Sequence, residues 1–274
     1  MTEKKVALVT GASRGVGKGV AEALGEAGYV VYITGRSESP NETVPLPGTI
    51  HETAQSVTDL GGEGIAIRCD HKNDAEVKAV FEQIQSEQGR LDLLVNNAWA
   101  GYQEMQLHGA GRFMKPFWKT EPIDWDTTFD VGVRSNYVAS MYAAQMMVFQ
   151  NSGLIVNISY SASETYKSNV VYGVSKAAVD KMTNDMAHEL RKKAVACVAI
   201  WPGLVKTEML LKRLNGKPRP YAETPRFIGR AVVALANDPD IMAKSGQVLK
   251  TRELAREYQF TEVDGSMPPL NKGL

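Results

Sequence analysis

Tyr172 and Lys176 stand four residues apart in the run Tyr172-Gly173-Val174-Ser175-Lys176. On a helix that spacing sets both side chains on one face, close enough to touch. A phenol ionises at about pH 10, and a neighbouring ammonium favours the phenolate and lowers that value. The pair is therefore a candidate proton donor and acceptor near neutrality. Tyr-x-x-x-Lys also arises by chance, so its weight depends on what else the chain carries.

A second set of residues is built to hold an anion. Thr10-Gly11-Ala12-Ser13-Arg14-Gly15-Val16-Gly17 follows an apolar run and opens a helical pattern. Glycines allow a tight turn and let backbone N–H groups approach a pyrophosphate, which a helix N-terminus favours. An acid at the end of the following strand commonly binds the adenosine ribose of NAD. Here that strand ends Thr34-Gly35-Arg36, with no acid until Glu38, while Arg14 lies in the glycine loop. Guanidinium forks suit a phosphate dianion, so Arg14 and Arg36 point to a 2′-phosphate and hence to NADP(H).

These residues need a scaffold, and the hydrophobic pattern describes one. Strand-like apolar runs fall at 6–10, 30–34, 65–68, 91–95, 154–158, 195–200 and 247–249. Helical patterns lie between them near 15–27, 49–60, 74–88, 124–150, 170–192 and 225–236. Continuous apolar strands alternating with helices predict a doubly wound, parallel, seven-stranded α/β sheet with right-handed crossovers, its ligands outside the carboxyl ends of the strands. With no repeat and no low-complexity linker, residues 1–274 read as one domain. Two irregular segments follow strands four and six. Residues 99–121 hold Trp99, Tyr102, Phe113, Phe117 and Trp118; residues 204–223 hold Met209, Leu210 and Leu211. Both are expected to overhang the ligand end as a mostly apolar roof, the second as a substrate lid. A third, at 37–48, contains three prolines and reads as a loop.

Composition narrows the function classes. Lys+Arg and Asp+Glu both number 31, which predicts no attraction to nucleic acid or to an anionic membrane. No window approaches the roughly 18 consecutive apolar residues of a membrane span. Cys69 and Cys197 each sit in an apolar run and read as inert core thiols in a reducing, cytoplasmic compartment. His51, His71, His108 and His188 show no metal-ligand spacing, and His188 reads as a solvated helix residue.

Taken together, these motifs resemble the short-chain dehydrogenase/reductase family over residues 5–250. The glycine string matches the family's Thr-Gly-x-x-x-Gly-x-Gly, and Tyr172 with Lys176 its Tyr-x-x-x-Lys. Ser159 lies 13 residues before Tyr172, at the family's catalytic serine; Ser161 and Ser163 are lesser candidates. Asp70 matches the acid beside the adenine. Asn97, in Asn96-Asn97-Ala98, matches the segment after strand four. Pro202, Gly203 and Thr207, with Val205 between them, match the loop over the nicotinamide. A subgroup of the family shares Asn97-Ala98-Trp99-Ala100-Gly101, Asp130-Val131-Gly132-Val133-Arg134 and Ile200-Trp201-Pro202-Gly203. Relatives there can extend into an apolar, membrane-associating tail; this chain reaches Leu274 without one, so no membrane location is carried over.

The resemblance implies hydride transfer between NADP(H) and a carbonyl or alcohol carbon. Ser159 is expected to hold the substrate oxygen, Tyr172 to exchange the proton, and Lys176 to tune the tyrosine and bind the nicotinamide ribose. It also implies a homodimer or homotetramer through residues 124–150 and 170–192. Two departures stand out. Trp99 replaces a family glycine, and either narrows the site beside the nicotinamide or packs under the 99–121 segment. Gly132 falls where many members place an asparagine that supports a proton-relay water; a water on nearby backbone carbonyls is the expected substitute, with Asn136, one turn on, the lesser one. The competing readings are a reductase of an activated C=C bond, whose relatives use a longer Tyr-to-Lys spacing, and a non-catalytic NADPH-sensing protein on the same scaffold.

Overall fold

A computed structural model describes residues 4–101 and 114–269. Tyr102, His108, Phe113 and Leu274 lie outside the described residues. In chain order the elements are β1 (Val6–Val9), α1 (Gly15–Glu26), β2 (Val30–Gly35), α2 (Ile50–Asp59), β3 (Glu63–Arg68), α3 (Asp74–Gln88) and β4 (Leu93–Asn96). Then come α4 (Pro122–Phe129), α5 (Ser135–Gln150), β5 (Gly153–Ile158), α6 (Val170–Leu190), β6 (Val195–Trp201), α7 (Glu208–Arg213), α8 (Pro225–Ala236), β7 (Val248–Lys250) and α9 (Thr251–Glu257).

The seven strands form one sheet in the order β3-β2-β1-β4-β5-β6-β7, with every pair parallel. Alternate residues of the inner strands feed two cores. Val9, Ile33, Val95, Val156 and Val198 pack with α1, α2 and α8. Leu8, Tyr32, Leu94, Ile155 and Cys197 pack with α3, α5 and α6 on the other face. Burial on both faces is why these inner strands are mostly apolar rather than alternating. The chain reverses winding direction between β1 and β4, so the crevice for a ligand opens at their carboxyl ends.

The long helix expected over 124–150 is broken. Val131 (φ −116°, ψ 90°) and Gly132 (φ 148°, ψ −25°) leave helical geometry between α4 and α5. A side chain at such a φ is strained, so this break requires glycine. Two short helices, α7 and α9, fall where no helix is expected. Cys69 lies one residue beyond β3 rather than within it, and is buried as expected. His188 is exposed on α6.

Candidate active site

The glycine loop and the segment after β4 lock together at the crevice. Thr10 Oγ1 accepts from the backbone N–H of Asn97 (2.9 Å) and of Ala98 (3.1 Å). The Asn97 side chain donates to the carbonyls of Thr10 and Gly11, both at 2.9 Å. A Cβ on Gly17 would lie 2.5 Å from Asn97 Nδ2 and 2.7 Å from the Gly11 carbonyl. Gly17 is thus a packing glycine behind the loop and, unlike the other proposed cofactor residues, does not line the cavity.

That cavity has a volume of about 400 Å³. Gly11, Ser13, Arg14, Gly15 and Val16 line it from the glycine loop, and Arg36 and Asp70 from the ends of β2 and β3. Asn97, Ser159, Tyr172 and Lys176 line it from the middle of the sheet, and Pro202, Gly203, Val205 and Thr207 from the loop after β6. Every proposed catalytic side chain therefore meets the proposed anion cradle in one cleft. The cradle fits a dinucleotide: Gly11, Ser13, Gly15 and Val16 bring the chain to the cavity wall where α1 begins, and a helix N-terminus favours a pyrophosphate.

Asn169 caps α6, its side chain accepting from the Tyr172 N–H at 2.8 Å, and so sets Tyr172 in the first turn. Lys176 follows one turn later with its Nζ 5.7 Å from the Tyr172 ring centroid. Lys176 Nζ donates to the Ile158 carbonyl (3.2 Å), and Ser159 Oγ to the Lys176 carbonyl (3.4 Å), tying α6 to the end of β5. Lys176 is buried, and desolvation pulls its ammonium down to about 8, partly opposed by Asp180. Asp180 also accepts from Trp201 Nε1 at 3.1 Å, which fixes the end of β6 before Pro202. Ser161 and Ser163 do not line the cavity; Ser161 Oγ accepts from Lys167 Nζ at 2.8 Å.

The two arginines are both in place and both engaged. Arg14 donates to the Pro47 and Gly48 carbonyls (3.0 and 2.8 Å) and to Ser37 Oγ (3.0 Å), pinning the 37–48 loop. Arg36 NH1 faces Asp70 Oδ2 at 3.8 Å. Glu38 turns away toward His51 and Arg68. Trp99 lines the cavity and packs on Tyr172, ring centroids 5.5 Å apart. A Cβ on Gly132 would stand 3.1 Å from Trp99 Cδ1, so the indole fills the room that an asparagine side chain there would enter. Asn136 is buried, and its carbonyl accepts from Asn96 Nδ2 at 3.4 Å.

Among the described residues the expected roof is only partly aromatic. Phe117 and Trp118 are 61% and 71% exposed, packed edge to face on each other and away from the cavity. Met114, Leu204, Met209 and Leu210 line it instead. Three polar residues went unforeseen. His71 lies buried in the wall with Nε2 2.9 Å from Thr34 Oγ1, and burial lowers its imidazole to about 4, so it is neutral at physiological pH. Glu223, fully buried, accepts from the Gly203 N–H (2.9 Å), Thr251 Oγ1 (2.7 Å) and Arg252 Nε (2.8 Å), holding the loop after β6 against α9. Glu208, at the start of α7, accepts from the Gly15 N–H with both carboxylate oxygens (2.9 and 3.2 Å). Only Glu208 had a sequence signal, its place beside Thr207.

Comparison with known proteins identifies the family and the fold. The family model described as short chain dehydrogenase matches residues 5–217. Human "Dehydrogenase/reductase SDR family member 1" is 43% identical, covering 95% of this chain and 84% of the relative. A "3beta-hydroxysteroid dehydrogenase" of Mediterraneibacter gnavus is 30% identical over 76% of this chain and 68% of that protein. The crystal structure of a putative dehydrogenase from Xanthomonas campestris superposes with a TM-score of 0.81 at 25% identity, covering 98% of both chains. With the glycine cradle and the Ser159–Tyr172–Lys176 cluster opening on one cleft, the chain belongs to the short-chain dehydrogenase family.

Proposed function

We propose that this protein is an NADP(H)-dependent oxidoreductase acting between a carbonyl and an alcohol carbon of an apolar small molecule. The observation that carries this reading is the meeting of Ser159, Tyr172 and Lys176 with the glycine cradle in one cavity. When bound, the reduced nicotinamide supplies the hydride that reaches the substrate carbon. Ser159 holds the substrate oxygen and stabilises the charge that develops there. Tyr172 gives that oxygen its proton, completing the alcohol; oxidation runs the same transfers backward. Lys176, cationic below about pH 8, stabilises the phenolate left on Tyr172 and meets the nicotinamide ribose. A water on backbone carbonyls beside Gly132 reprotonates this pair from solvent, a role supported by the non-helical dihedrals of Val131 and Gly132. Such dihedrals take carbonyls out of the helical ladder.

Arg14 and Arg36 at the adenosine end, with no acid closing β2, support NADP(H) over NAD(H). The apolar wall of Trp99, Met114, Leu204 and Leu210 supports an apolar substrate, and the steroid activity named for the Mediterraneibacter relative makes a hydroxysteroid a first compound to test. We infer a homodimer or homotetramer, supported by Tyr137, Met141 and Phe149 exposed on one stripe of α5. Among the described residues no helix is long and apolar enough to cross a membrane. A cytoplasmic location is part of the same reading, supported by the free, buried Cys69 and Cys197. NADPH oxidation against a panel of carbonyl compounds tests the proposal. Tyr172→Phe is expected to keep NADPH affinity and lose at least about 100-fold in turnover. Comparable turnover in that variant refutes the assignment, and NADPH binding without any turnover by the unaltered protein indicates a sensor.

A further inference from the structure

We propose that Arg213, carried on the lid helix α7, pairs with the 2′-phosphate of the cofactor's adenosine ribose; this rests on the NADP(H) reading above. The lid is fastened to the adenosine side of the cleft by three contacts from one short helix. Met209 is buried in a cluster with Val44 and Leu46 of the 37–48 loop. Lys212 Nζ donates to the Pro45 carbonyl at 3.0 Å. Glu208 holds the Gly15 N–H, as described above, from outside the cavity wall.

Arg213 lies one turn beyond Met209, on the same face of α7, and lines the cavity together with Thr43 and Val44. Its guanidinium makes no ion pair or hydrogen bond with the described residues. The arginines that the sequence nominated are committed differently. Arg14 uses Nε and NH2 on the 37–48 loop, and Arg36 faces Asp70. A dianionic phosphate beside the 37–48 loop thus finds two guanidiniums tied to protein groups and a third presented by the lid. Bidentate geometry suits arginine to that partner, and a lid cation makes closure itself favourable when a 2′-phosphate is present.

The test uses the full-length protein and Arg213→Gln, an exposed position whose replacement leaves the core untouched. Dissociation constants are measured by NADPH and NADH fluorescence and by calorimetry with 2′,5′-ADP and 5′-ADP. A charge-assisted bond to a phosphate predicts about tenfold weaker binding of NADPH and 2′,5′-ADP, with NADH and 5′-ADP changed less than about twofold. Added salt is expected to narrow the difference between the variant and the unaltered protein. If the unaltered protein does not prefer the 2′-phosphorylated ligands, the NADP(H) reading fails. If it prefers them and Arg213→Gln keeps that preference, or weakens all four ligands alike, only the role of Arg213 is overturned.

Discussion

Gly132 and Trp99 depart from the family pattern together, and their contact makes the pairing measurable. Gly132→Asn imposes two separate costs. Its φ of 148° is a region that L-residues rarely occupy, and holding one there costs about 1–3 kcal/mol. Its Cβ also lands 3.1 Å from Trp99 Cδ1, closer than ordinary contact, and overpacking of this kind costs about 1–3 kcal/mol. The single variant is therefore expected to lose about 2–6 kcal/mol, a large part of a typical domain's stability. Trp99→Ala removes a half-buried indole, so it costs less than the about 3–5 kcal/mol of a fully buried one. In the double variant the steric cost vanishes because the amide enters the room the indole left, while the dihedral strain persists. The double variant should thus be more stable than the sum of the singles by about 1–3 kcal/mol, without regaining wild-type stability. Urea unfolding of the four proteins, followed by circular dichroism, reads this coupling directly. Additivity to within about 0.5 kcal/mol refutes the claim that the indole and Gly132 occupy one another's space.

Two further outcomes follow from charge and exposure. Lys176 has its folded value lowered to about 8 from 10.5, so between those values the unfolded chain binds more protons than the folded one. The Lys176 contribution to stability must therefore rise with pH across that window and be least favourable below it, by on the order of 3 kcal/mol in total. Wild-type stability measured relative to Lys176→Met should climb from pH 8 to 10.5, and a flat difference contradicts a desolvated ammonium. Phe149 is 93% exposed near the end of α5; light scattering is expected to show Phe149→Glu dissociating the oligomer. A monomeric wild-type protein ends that reading.

The sheet was legible because burial on both faces leaves one local signature, a mostly apolar run, at each of the five inner strands, whereas the edge strands β3 and β7 are partly exposed and carry charged ends. The proposed catalytic pair was legible for a similar reason: Tyr172 and Lys176 meet through spacing within one helix. Where the sequence misled, the missing quantity was direction or dihedral angle. Phe117 and Trp118 carry the composition of a pocket roof, yet composition does not say which way a side chain points, and both face solvent. The apolar period runs through 124–150 without interruption, so it conceals the break; only the single glycine at 132 marks it. The helix α9 buries just Thr251, Leu254 and Ala255, too few positions to establish a period.

Glu223 marks the deeper limit. A carboxylate with no exposure has to find its donors in the fold, since an unpaired buried charge costs several kcal/mol. Its three donors lie 20, 28 and 29 residues away, on Gly203, Thr251 and Arg252. Nothing near residue 223 announces them, because β7 and α8 must first bring α9 back beside the loop after β6. The same holds for the lid. Met209 meets Val44 and Leu46, and Glu208 meets Gly15, only after the crossover past β6 folds the chain over the cleft. Chemistry that resides in one turn of helix can be read before folding, whereas the contacts that decide how tightly a cofactor is held arise from segments that the topology alone makes neighbours.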